Sequence, residues 1–562
     1  MEYGYFDDKT REYVITNPRT PESWRNFFGN EKYSVEITNN AGGKSHCAGS
    51  CPISDRYVYI RDDDDRDFWS ASWQPVGKDL KDYHSICRHG LGYTKFYASY
   101  TGIHSEVLCY VPVGCDYEVW AVNVENHSKR PRNLTVTGFL SFPVNDSDLL
   151  YTSRTLYQNN KLKSQIYSNL SADTNRYDGK RLIERFLGLS GSEVSSYCGD
   201  WDSFFGEYRD FSNPVGIENG DLGDELSYAA KSIGAISFKI TLEPGENTTV
   251  CFTAGLKSDS ESTEIIRHYE VHTRETVTKE LKEIKRFWND KFSSFDVHSP
   301  SAGFNRMVNV CNMYEAVTLG EIGDFSQMIP EITELKDGKW YSKELEDHID
   351  GYSEDRGKNY LKSVLENRNT AFGICSLDTP IGADSEEPEA YLNAGLLQNG
   401  GIFSADQAGY ILAAALLGDG DNAYMIFDES SPVSQNRKAD VRRVEPYVYC
   451  EHTEGKYSPF FGRSHGKWDA KAAVAVETAC IEGICGIRPG KDCLYISPSI
   501  PSEWTVLDIH LLYKNHDLFI KVDNHDHKSS GVSKMTLNGN DVDSCCISDS
   551  EMTENCDIKI YL

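Results

Sequence analysis

Residues 396–411 read LLQNGGIFSADQAGYI, an apolar segment that runs into a glycine pair and then into a helix-like pattern. Such a loop rims a pocket, and it offers Gln398 and Asn399 as hydrogen-bonding amides. Further along, VEPYVYCEH supplies Glu445, Tyr447 and Glu451, and GKWDAKAAV supplies Trp468 and Lys471. Carboxylates that accept from hydroxyls, set beside aromatic faces, are the chemistry of saccharide binding. The segment DTPIGADSEEPEAY adds Asp378, Asp384, Glu386, Glu387 and Glu389. Its composition reads as a solvated acidic loop and not as a catalytic centre.

Metal chemistry finds little support. The histidines of HDLFIKVDNHDHK, His516, His525 and His527, lie in a strand-and-turn pattern and read as a solvated turn. The run RDDDDRD at 61–67 lacks the glycine and distal glutamate of a calcium loop and reads as a solvated hairpin. The 16 cysteines are scattered, and the closer pairs Cys47/Cys51 and Cys545/Cys546 lack the partner spacing of a zinc site. Reduced, partly buried thiols are expected. No metal and no cofactor are expected.

The elements that must position these residues follow from length and periodicity. A chain of 562 residues with 39% hydrophobic and 12% aromatic content can bury several domain cores. A formal charge of −29 opposes nucleic acid and anionic membrane as partners. The start, MEYGYFDDKTREYV, shows no basic segment followed by an apolar core, and no stretch reaches the ~20 apolar residues of a membrane span. A cytoplasmic protein is expected.

From 1 to 260, runs such as RYVYI and GAISFKITLEPGENTTVCFTAG alternate apolar and polar residues between turns. Phe96, Ala98 and Tyr100, then Val107, Cys109 and Val111, flank Thr101-Gly102 as a hairpin with one buried face. The period changes to three and four between 261 and 300, marking a helical linker. From 301 to 490 about six helices are expected, around 304–318, 345–349, 356–366, 407–417, 423–428 and 470–485, with Asp421 as a cap. Strand patterns return from 491 to 562, with Asn538-Gly539 as a turn. The fold class is therefore α+β and multidomain: an N-terminal β-supersandwich, a helical linker, a helical domain and a small C-terminal β-sandwich.

Longer motifs sharpen this. YGYFDDKTREYVITNPRTPESWRNFFG, RYVYIRDDDDRDFWSASWQPV, DGKWY, RGKNYLKSVLENRNTAFGI, QNGGIF, ALLGDGDNA, VEPYVY and GIRPGKDCLYISPSIPSEW occur in this order. Together they resemble glycoside hydrolase family 94, the inverting β-disaccharide phosphorylases of the chitobiose and cellobiose type. The resemblance covers nearly the whole chain and implies an (α/α)6 barrel for the helical domain. It also implies a homodimer with the N-terminal domain at the interface, and inorganic phosphate as co-substrate. In that chemistry phosphate attacks the anomeric carbon while one protein carboxylic acid protonates the leaving oxygen, yielding an α-sugar 1-phosphate and a free sugar.

This sequence departs from the family at each part of the site. The family's Asp-Trp-Asn-Asp motif, which bears the general acid, has no counterpart ahead of Asp337-Gly338-Lys339-Trp340-Tyr341. The arginine- and aspartate-bearing segment expected after CNMYEAVTLGEIGD is missing. Where the family has a glutamate for the sugar and a histidine for phosphate, this chain has Gln398 and Ala405. The family's Trp-Leu-Thr-Gly becomes Trp468-Asp469-Ala470-Lys471. A twelve-helix barrel needs roughly 200 residues before catalytic insertions, so 301–490 reads as an incomplete barrel. The expectation is a phosphorylase homologue defective in catalysis, in which Gln398, Asn399, Glu445, Tyr447, Glu451 and Trp468 either bind a β-linked disaccharide or sugar or serve barrel packing and loop anchoring. It would pair with itself or with an intact homologue. The alternative is an active or remodelled phosphorylase acting on β-linked glucose or N-acetylglucosamine disaccharides, and an incomplete copy of an ordinary phosphorylase would read the same way.

Overall fold

The computed structural model describes residues 2–47, 50–143, 153–169, 180–228, 231–323, 334–336, 339–341 and 354–562. It divides into two compact units, one from Tyr3–Trp288 and one from Asn289–Leu562 with Met1–Glu2.

Among the described residues, the first unit holds a ten-stranded and an eight-stranded sheet. Strict alternation builds them: in Tyr33–Thr38, Tyr33, Val35 and Ile37 are fully buried while the residues between are not. Thr101 and Gly102 take left-handed φ angles of 50° and 84° and join Tyr93–Tyr100 to Ile103–Tyr110, the turn that the sequence signals. The opposite face is covered only at the far end, where Leu108 and Tyr110 are buried, while His104 near the turn is exposed. Helix Asp259–His268, opened by a Ser258/Glu261 capping box, and helix Thr273–Phe292 bring Ile265, Ile266 and Ile284 into the core. Glu280 on the second helix accepts from Tyr110 Oη at 2.6 Å and Tyr269 Oη at 2.8 Å.

The acidic run at 61–67 is a hairpin, with Arg61↔Phe68 paired; its tip, residues 64–66, is solvated as expected, but its base is not. Asp62 is buried and accepts from Arg132 Nε at 2.7 Å, and its other oxygen caps the turn by accepting from Asp64 N at 2.9 Å and Asp65 N at 3.2 Å. Asp63 meets Thr135 and Asp65 meets Arg130. These cations and donors come from the strand Arg132–Phe142 and the turn before it, which pairing places alongside Ser50–Asp62. Composition alone does not reveal such a non-local partner.

In the second unit, Phe295–His298 joins Val506–Tyr513, His516–Asp523 and Asn555–Tyr561 in a six-stranded sheet. Asn538-Gly539 turns Lys534–Leu537 back onto Asn540–Val542. His516, His525 and His527 have separate partners: Thr553 O, Asp523 and Ser502 O. Among the described residues the α-helices of this unit are Ala302–Arg306 and Asn312–Thr318, continuous through a π-helical turn, then Glu354–Arg368, Ser404–Leu416, Gly420–Ser430, the single turn Ala439–Arg442 and Ala470–Ala479. The helix expected around 345–349 lies outside the described residues. Asp419, not Asp421, caps Gly420–Ser430, accepting from Asn422 N at 3.2 Å. Asp421 instead accepts from Ser502 N at 2.7 Å. The described cysteines are free thiols.

Candidate functional site

The glycine-pair loop is shaped by two buried amides. Asn399 accepts from Ile381 N at 2.7 Å and donates to Ile381 O at 3.1 Å and Leu392 O at 2.9 Å, which ties the acidic loop to the glycine pair. Gly400, at φ 96°, donates to Ser376 Oγ at 3.1 Å. One step further, Gln407 holds the segment before the loop, donating to Ile374 O at 3.1 Å and accepting from Ile374 N at 2.8 Å. Asn399 is thus an anchor of the loop, whereas Gln398 beside it is exposed.

From the loop the chain enters the short strand Ile402–Phe403, which pairs with Cys450–Thr453, and that strand pairs with Ser464–Lys467. Helices Ser404–Leu416 and Ala470–Ala479 leave this sheet and pack on each other. The three segments singled out in the sequence therefore converge. Tyr447 and Trp468, both buried, meet edge to face with ring centres 6.4 Å apart, and Trp468 also meets Tyr314 at 6.4 Å. Glu445 is fully buried, and its carbonyl accepts from Arg442. Glu451 is exposed at the sheet, beside Gly466.

The positions that the family resemblance assigns to phosphate are occupied as follows among the described residues. Ala405 is half-buried in the first turn of Ser404–Leu416, and Ala470 is buried at the start of Ala470–Ala479. Asp469 caps the latter helix, accepting from Ala472 N at 3.3 Å. Lys471 is exposed. The acids of the loop, Asp378, Asp384, Glu386 and Glu387, are exposed, and Glu389 is half-buried. Among the described residues no group of three or more His, Cys, Asp or Glu could hold a metal ion.

Sequence reasoning missed two clusters. His452 and His465 face each other across the strand pair, with rings nearly parallel and 5.1 Å apart. Burial, then the neighbouring His465, pushes the His452 imidazole below its ordinary range. His465 Nε2 lies 2.9 Å from Glu454 Oε1, and Glu454, itself buried, accepts from Ser458. The second cluster is a set of buried carboxyls. Glu315 accepts from Tyr449 N at 3.0 Å, and burial raises its carboxyl well above the usual range. Glu477 accepts from Asn312 Nδ2 at 2.8 Å, and burial raises it to about 8. A lone glutamate inside an alanine-rich helix, as in AAVAVETAC, was the available signal for Glu477. The histidine pair had none, because cross-strand register is not written locally.

Residues 11–272 match the model of the glycosyl hydrolase 94 supersandwich domain, and residues 348–486 match that of the glycosyl hydrolase 94 superfamily catalytic domain. The chain belongs to glycosyl hydrolase family 94. An N,N'-diacetylchitobiose phosphorylase of Vibrio furnissii is 34% identical to this family 94 chain over 343 residues, 57% of this chain and 41% of the relative. A 3-O-beta-D-glucopyranosyl-beta-D-glucuronide phosphorylase of Paenibacillus borealis is 27% identical over 350 residues, 60% of this chain and 44% of the relative. The chain thus matches less than half the length of either protein. A second N,N'-diacetylchitobiose phosphorylase, of Vibrio proteolyticus, is 24% identical over 794 positions that span 96% of this chain and 97% of the relative. More aligned positions than the 562 residues present here require that the relative carry a long stretch this chain lacks.

Proposed function

We propose that this chain is a disaccharide phosphorylase homologue that retains a sugar-facing scaffold on an incomplete (α/α)6 barrel and does not catalyse phosphorolysis. One observation carries the reading: the side chains at the positions matched to phosphate are two methyl groups, a carboxylate and one exposed cation, Lys471, whose charge Asp469 two residues away opposes. Ala405 and Ala470 offer no side-chain donor, and Asp469 fixes a carboxylate at the start of its helix. A phosphate dianion needs charge-assisted donors around it, and a neighbouring carboxylate opposes it. The missing Asp-Trp-Asn-Asp motif removes the proton donor as well. General acid catalysis is worth typically about 10²- to 10⁴-fold, and positioning with charge stabilisation more. With both gone, turnover is lost. Gln398 and Glu451, both exposed, are the groups left to meet a β-linked glucose or N-acetylglucosamine unit, and a homodimer is the assembly the family resemblance supports.

The test is acceptor-dependent phosphate release from α-glucose 1-phosphate or α-N-acetylglucosamine 1-phosphate, with glucose or N-acetylglucosamine added. We expect none above the rate without acceptor, from protein that is folded by circular dichroism. A second reading, a remodelled enzyme, draws on His465, an imidazole oriented by buried Glu454. Release that depends on acceptor and disappears in His465→Gln or Glu451→Gln would establish that reading and overturn the first.

A further inference from the structure

Three half-buried thiols, Cys493, Cys545 and Cys546, meet on the small sheet in which Cys493–Ile496 pairs with Ile487–Pro489 and with Cys546–Ser548. Register sets their faces. Cys493 lies opposite Ser548 and Tyr495 opposite Cys546, while Leu494, Ile496 and Ile547 are fully buried. Side chains alternate along a strand, so Cys493 and Cys546 share the open face as diagonal neighbours, within side-chain reach of each other. Cys545 faces the other way, because its carbonyl accepts from Ile496 N at 2.8 Å and sets it opposite that buried isoleucine. Burial, then a hydrogen bond to Cys493, then Asp549 and Glu551 push the Cys546 thiol up to about 12. Cys546 therefore keeps its proton, which leaves Cys493 as the attacking sulfur.

We propose that Cys493 and Cys546 form a reversible disulfide, a modification site for low-molecular-weight disulfides of the glutathione type. Thiol–disulfide exchange supplies the steps. Cys493, as thiolate, attacks one sulfur of the small disulfide; that S–S bond breaks, a mixed disulfide forms, and the first small thiolate leaves and takes a proton. Cys546 then releases its proton to solvent and attacks Cys493 Sγ, and the second small thiolate leaves and is protonated. Two protein thiols lose two electrons, and one small disulfide gains them and becomes two thiols. Diagonal spacing is wider than a relaxed disulfide prefers, so the bond is readily reduced again. It closes residues 494–545 into a loop, and that loop carries Ser502, whose backbone N–H donates to Asp421 on helix Gly420–Ser430 at 2.7 Å. Closing the loop restrains the segment against local unfolding.

Incubation of the full chain with oxidised and reduced glutathione in graded ratios, followed by acid quench, alkylation of free thiols and non-reducing peptide mass spectrometry, tests this. The wild type shows a Cys493–Cys546 cross-link that rises with the oxidised fraction and disappears in dithiothreitol, with circular dichroism unchanged. Hydrogen exchange in peptides over 494–545 slows by at least about tenfold in the oxidised chain. Cys546→Ser halts at a glutathione mixed disulfide on Cys493, Cys493→Ser leaves Cys546 a thiol under the same conditions, and Cys545→Ser changes nothing. A wild type whose Cys493 and Cys546 stay open to alkylation throughout, a cross-link that runs to Cys545 instead, or exchange unchanged by oxidation overturns the proposal. The wild-type peptide map decides it even where a variant fails to fold.

Discussion

Glu477→Gln makes the second unit harder to unfold at pH 8 and leaves it nearly unchanged at pH 4.5. Glu477 lies fully buried in helix Ala470–Ala479, and burial raises its folded-state pKa from 4.5 to about 8. A raised carboxyl contributes stability that is whole below pH 4.5 and is lost as pH rises through about 8, because the unfolded chain releases the proton first. Across that window the loss is on the order of 4 kcal/mol, at roughly 1.4 kcal/mol for each pH unit. Glutamine removes the titration and still offers a carbonyl oxygen to Asn312 Nδ2, which donates to Glu477 at 2.8 Å in the native chain. Urea unfolding, read by hydrogen exchange of peptides spanning 470–484, should therefore show a shallower pH dependence in the variant. An identical slope in both proteins would mean that Glu477 is ionised in the folded state. Glu315, also raised by burial, keeps part of the slope in either case.

The second large effect is expected in the first unit. Replacing Arg132 with alanine leaves Asp62, at 1% exposure, without its hydrogen-bonded guanidinium and with only the half-exposed Arg130, 3.9 Å away, to offset its charge. Removing one member of a buried ion pair costs about 3–5 kcal/mol, because the remaining charge stays desolvated. The Asp62 turn, with its bonds to Asp64 N and Asp65 N, would loosen with it. By contrast, breaking the exposed Lys279–Glu283 pair should change stability by about 0.5 kcal/mol or less. Denaturant midpoints for Arg132→Ala and Lys279→Ala, with exchange followed in peptides over 54–62 and 132–142, separate the two. Equal midpoints would show that the base of the acidic turn is solvated after all.

Periodicity made the strand-rich first half, the helices flanking the site and the hairpins at Thr101-Gly102 and Asn538-Gly539 legible, because each is written in neighbouring residues. What stayed hidden depends on partners far along the chain. The base of the acidic run looked solvated until strand pairing brought Arg132 to Asp62. The far end of the second face of the 93–110 hairpin looked exposed until helix Thr273–Phe292 placed Glu280 against Tyr110. Asp421 looked like a cap, yet Asp419 sits where its carboxylate reaches Asn422 N. At the candidate site the motif order picked out segments that converge on one short sheet, but residue type does not say which of their side chains stay accessible. Asn399 and Glu445 appeared as ligand-facing groups and are buried in the framework, while His452 and His465 went unnoticed because only cross-strand register joins them.

The proposed loss of an anion cradle around Ala405, Asp469 and Ala470 is probed most directly by inorganic phosphate itself. Equilibrium dialysis of radiolabelled phosphate against the folded chain, at constant ionic strength and with sugar present or absent, should show no saturable binding up to about 10 mM, an affinity worth only about 2.7 kcal/mol. Saturable binding of one phosphate per chain at or below that concentration, strengthened by sugar, would contradict it and return phosphorolysis to consideration.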